Sequence, residues 1–166
     1  MKSANKFSRA YVFERVRPGV IIELLGLFKV ENVFMEIFNI EKDSAFYKSI
    51  KDREDEYVLL SKHSLKSYAS IFITENFREE KIGMLEEIID SRPEILTFYL
   101  TDLPLEDFLC LCRGRKNFDD KIIETKIAAC VFEIMFDENT FSVTLDKELL
   151  RRSDLMPKID EILIKN

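Results

Sequence analysis

The sequence predicts an α+β domain, a largely antiparallel sheet with helices packed on it. Three observations carry this. Segments rich in β-branched and aromatic residues recur along the chain, amphipathic helical stretches fall between them, and the two kinds do not alternate in the strand–helix–strand rhythm of a parallel sheet. With 166 residues, four Gly, four Pro and no Gly/Ser tract or internal repeat, residues 1–166 read as a single domain.

Taken in order, Lys6 to Val16 is expected to be a strand, with Tyr11 and Phe13 on one face and Val12 on the other. Pro18 and Gly19 punctuate it. Val20 to Lys29 is apolar nearly all round, and its leucines favour a buried helix over a central strand. Residues 33–38 fit both patterns: Val33, Phe34, Ile37 and Phe38 repeat at helical spacing, while Val33, Met35 and Ile37 alternate. The charged run from Lys51 to Glu56 is a loop or a solvated helix end. Tyr57 to Leu60 and Tyr68 to Thr74 read as two strands, the second with Ser70, Phe72 and Thr74 on one face and Ile71 and Ile73 on the other.

A helix is expected from Phe77 to Asp90, with Asn76 capping its free amides, Glu79 reaching back in a capping box, and Ile82, Leu85, Ile88 and Ile89 as its apolar stripe. Pro93 ends it, and Ile95 to Leu100 is a short strand. Thr101 and Asp102 offer caps for a helix from Pro104 toward Arg113, closed by Gly114. Ile122 to Phe136 and Phe141 to Leu145, joined through Asp137-Glu138-Asn139-Thr140, form a hairpin. Asp146 or Ser153 can cap short helical turns, and Leu155, Ile159, Ile162 and Leu163 make a last amphipathic stripe.

Composition narrows the function. Hydrophobic residues at 46% and charged residues at 34% suit a folded core with a soluble surface. No apolar stretch approaches the ~20 residues of a membrane span, and Met1 to Ala10 has no signal-peptide pattern, so a cytoplasmic location is expected. The three cysteines are then expected to be reduced thiols. A net charge of −6 disfavours general nucleic-acid binding and suits a basic partner.

Candidate chemistry is sparse. His63, the single histidine, sits in a polar connector with no nucleophile pattern around it. Cys110 and Cys112, with Cys130, lack the usual spacing of a structural zinc site and read as ordinary thiols. The sharpest enzymatic element is Glu124-Thr125-Lys126 at the edge of an apolar strand, which Asp102 can complement as a second carboxylate. It resembles the acid-x-Lys element of the PD-(D/E)xK nucleases. The resemblance covers only these few residues and implies Mg²⁺ held by Glu124 and Asp102, with Lys126 stabilising an oxyanion.

The leading expectation is instead a binding protein without cofactor or metal, of the immunity or antitoxin kind, which covers a basic toxin domain such as a nuclease. Asp52, Glu54, Asp55, Glu56, Asp137 and Glu138 are the expected contact residues. A Mg²⁺-dependent nuclease, an adaptor or regulatory subunit, and an acidic mimic of nucleic acid are the alternatives.

Overall fold

The computed structural model describes residues 6–53, 58–60, 66–113, 129–152 and 154–164. Among these described residues seven strands form one sheet in the order β1-β7-β6-β5-β2-β4-β3, and every neighbouring pair is antiparallel. The strands are β1 (Lys6–Val12), β2 (Asn32–Glu41), β3 (Val58–Leu60), β4 (Tyr68–Ile73), β5 (Ile95–Thr101), β6 (Cys130–Met135) and β7 (Thr140–Asp146). The helices are α1 (Pro18–Leu25), α2 (Ala45–Ile50), α3 (Ile82–Asp90), α4 (Leu105–Arg113) and α5 (Leu155–Ile164). The α+β, antiparallel expectation holds.

The two faces of the sheet are covered unequally. The main core lies on one side, where Ile21 and Leu24 of α1, Phe46 and Ile50 of α2, Leu85 and Ile88 of α3, and the α5 stripe Leu155, Ile159, Ile162 and Leu163 cover alternate strand residues such as Ile37, Phe98, Phe132 and Val143. On the other side Phe108 of α4 packs on Phe34, Phe72, Tyr99 and Val131, with ring centroids 5.0–5.8 Å from Phe34, Phe72 and Tyr99. The strands beneath α4 are therefore apolar on both faces, which explains why residues 33–38 show no clean alternation.

β2 also carries a bulge. Ile37 pairs with Ile71 but Ile40 with Ala69, so the strand holds one extra residue here, and Asn39 takes a left-handed φ of 54°. The insertion returns Ile40 to the core, while Phe38 before it keeps the outward phase of Phe34 and Glu36.

Several expectations are corrected. β1 ends at Val12 rather than Val16, and α1 begins at Pro18, which occupies its first turn, rather than at Val20. Asn76 caps no helix: its side chain accepts the Val33 amide at 2.7 Å and donates to the Glu31 carbonyl at 3.1 Å, and a 3₁₀ turn at Glu79–Lys81 precedes α3. Thr101 accepts from the Leu103 amide and Asp102 from the Glu31 amide, so both tie the β5 end rather than cap α4. Asp146 makes no capping bond and pairs with Lys6 at 2.6 Å. Ser153, Gly114 and residues 121–128 of the long strand expectation lie outside the described residues.

Candidate functional site

The side of the sheet that α4 only partly covers carries the most distinctive surface. Strand register sets its residues in rows. One row runs Val12, Thr140, Met135, Ile95, Phe38 across β1, β7, β6, β5 and β2. Each alternates with a core residue, so all five point away from the main core. Val12 is 83% exposed and Phe38 42%, and the three between them are half-buried. Val12 belongs to an edge strand, and Phe38 continues the outward alternation of Phe34 and Glu36 up to the bulge.

The next row is polar: Ala10, Ser142, Glu133, Thr97, Glu36, ending on buried Phe72. Tyr99, fully buried, donates its hydroxyl to Glu36 Oε1 at 2.8 Å. Glu36 and Glu133 flank Thr97 from either side and are half-buried. Two strand spacings separate them, roughly 10 Å between Cα atoms. Farther along, Ser8 and Thr144 share a hydrogen bond at 3.0 Å across β1 and β7.

The expected contact acids are placed as follows. Asp137 and Glu138 are exposed in the turn between β6 and β7, immediately beyond Met135 and Thr140 of the apolar row, and neither forms an ion pair among the described residues. Asp52 is exposed in the 3₁₀ turn Lys51–Arg53 after α2, in the connection to the far edge strand β3. β5, β2 and β4 stand between β6 and β3, so the structure does not bring Asp52 beside the Asp137-Glu138 turn. Glu54, Asp55 and Glu56 lie outside the described residues, as do His63, Glu124 and Lys126.

Asp102 is exposed and engaged by the Glu31 amide at 3.2 Å. Cys130 is buried in the main core and Cys110 is exposed on α4, across the sheet from it. Burial pushes the Cys130 thiol well above its ordinary pKa. Among the described residues no three His, Cys, Asp or Glu side chains converge as a metal site, and no helix is long and apolar enough to cross a membrane.

No family model, curated protein or solved structure matches this chain. The surface must therefore be read from its own chemistry. A largely apolar row on a rigid sheet, with an acidic turn beside its Met135 and Thr140 members and hydroxyl-bearing residues alongside, offers area to desolvate and charge to orient. Periodicity shows which way each residue points but not which strands meet, so the row has no signature along the chain.

Proposed function

We propose that this chain is a binding protein of the immunity or antitoxin type, which neutralises a basic toxin domain such as a nuclease by seating it on the partly uncovered sheet face. The observation that supports this reading is the adjacency of the apolar row Val12–Phe38 to the exposed Asp137-Glu138 turn, which forms no ion pair among the described residues. A basic partner with an apolar centre complements both, and the net charge of −6 favours its approach. The row supplies affinity through desolvation; the acids supply association rate and register.

The test is co-purification from the native host, followed by binding kinetics with the recovered basic partner. The reading expects a stoichiometric complex whose association slows as salt rises. Val12→Lys should weaken it by about tenfold or more, ~1.4 kcal/mol, chiefly through faster dissociation. Asp137→Lys should slow association. Recovery of no basic partner, or Mg²⁺-dependent nucleic-acid cleavage that Glu124→Ala abolishes, would replace this reading with another.

A further inference from the structure

A second feature lies on the helix-bearing side, where the β1–α1 connection, the C-terminal end of α3 and the β6–β7 turn surround an open hollow of about 500 Å³. That volume is within the ~300–1,000 Å³ of small-molecule sites. Phe13 and Phe136 meet edge to face at 6.4 Å in its lining, beside Val16 and Ile89.

Its charged lining is unusual in two ways. Arg15, Arg17 and Arg92 are exposed and form no ion pair among the described residues, although Glu14, Glu86 and Asp90 line the same hollow and are equally unpaired. Moreover, two of the arginines stand where folding alone selects against them. Arg17 is the N-cap of α1 and makes no capping bond, a position that favours a short oxygen-bearing side chain and disfavours a cation beside the positive end of the helix dipole. Arg92 directly follows the C-cap of α3 with φ 46°, a left-handed conformation that favours glycine. Local choices that oppose the fold and converge on one hollow point to a ligand.

We propose that this hollow binds a nucleotide-like ligand, a phosphate monoester on a nucleoside. Guanidinium groups match phosphate oxygens in charge and in the geometry of their paired donors, so Arg15, Arg17 and Arg92 receive the phosphate. Glu86 and Asp90 accept hydrogen bonds from the sugar hydroxyls. The Phe13 and Phe136 rings offer an apolar wall to the base. Three carboxylates around the same hollow work against a bare anion, so the nucleoside is part of what is recognised. The inference rests on different side chains from the partner reading, although both draw on the β6–β7 turn, whose Phe136 and Asn139 line the hollow.

Calorimetric titration of the purified full chain with AMP, UMP, adenosine and inorganic phosphate tests it. At least one nucleotide should bind saturably, and adenosine and phosphate at least tenfold more weakly. Arg92→Gly and Arg17→Ser each remove a guanidinium while installing a residue that the backbone position favours. Both should keep or raise the unfolding midpoint and weaken nucleotide binding tenfold or more, whereas Arg78→Gln, beside the start of β2 at the opposite end of the sheet, should leave it unchanged. Failure of both nucleotides to bind, phosphate binding as tightly as they do, or full binding by the Arg92→Gly and Arg17→Ser variants would overturn the proposal.

Discussion

The Tyr11 hydroxyl on β1 donates to Asp160 Oδ1 on α5 at 2.5 Å, joining an edge strand to a helix 149 residues later in the chain. Arg9, two residues earlier, holds both oxygens of the same carboxylate at 2.9–3.0 Å. Strand alternation places Arg9 and Tyr11 on the side where α5 packs, so one carboxylate fastens the last helix over the first strand. Tyr11→Phe should cost roughly 1.5–3 kcal/mol, as expected for a hydrogen bond to a charged group, measured by urea unfolding.

The same contact sets a pH dependence. The Tyr11 hydroxyl and then Arg9 hold the Asp160 carboxyl below its ordinary value despite partial burial, which acts the other way. The unfolded chain therefore takes up this proton first as pH falls. The stabilisation from Asp160 is fully present above about pH 4, the ordinary carboxyl range, and is lost as pH falls through the lowered folded value. The difference in unfolding midpoint between the native chain and Asp160→Asn should be largest near neutrality and shrink in acid. A difference independent of pH would show that the charge is not responsible.

Phe108 is the apolar anchor of α4, fully buried among Phe34, Phe72 and Tyr99. Phe108→Ala should destabilise by roughly 3–5 kcal/mol, the usual cost of removing a buried phenyl ring. Amide exchange across Leu105–Arg113 should rise with it. Protection persisting along α4 would mean that other contacts hold the helix.

The thiols should divide by burial. In a Cys112→Ser background, Cys110 should react promptly with a thiol reagent under native conditions, and Cys130 only on unfolding. Equal native reactivity would contradict the placement of Cys130 beneath the helices.

Asn39 should tolerate glycine but not valine. Its φ of 54° is a conformation in which a β-branched residue is strained, so Asn39→Val should cost ~1–2 kcal/mol and Asn39→Gly little. Because Asn39 directly follows Phe38, the valine variant should also disturb the apolar row, visible as shifted resonances at Ile95 and Met135.

What could be read along the chain was whatever depends on neighbours in sequence. Alternation placed Tyr11 and Val12 on opposite faces, and helical spacing found all four buried residues of α5. What failed depends on partners far away. Asn76 has the local credentials of a cap, yet β2 claims its amide through Val33 and Glu31. Residues 33–38 confuse periodicity because α4 makes their second face apolar. The site residues were harder still. Asp137 and Glu138 stood out as a charged turn, but Val12 and Phe38 meet in one row only through the pairing of five strands. Arg17 and Arg92 did carry a local signal, an arginine where a helix start wants an oxygen and another where a helix end wants glycine.

The pairing of Lys6 with Asp146 and of Val12 with Thr140 has a consequence for biosynthesis. β7, the one strand that β1 joins among the described residues, emerges from the ribosome more than a hundred residues after it. The nascent β1 must wait with its backbone donors and acceptors unpaired, and Phe7 and Tyr11 lack their final shelter until then. Translation that stalls before Thr140 would leave an orphaned, self-associating strand, and that interval is where a chaperone would be most useful to this chain.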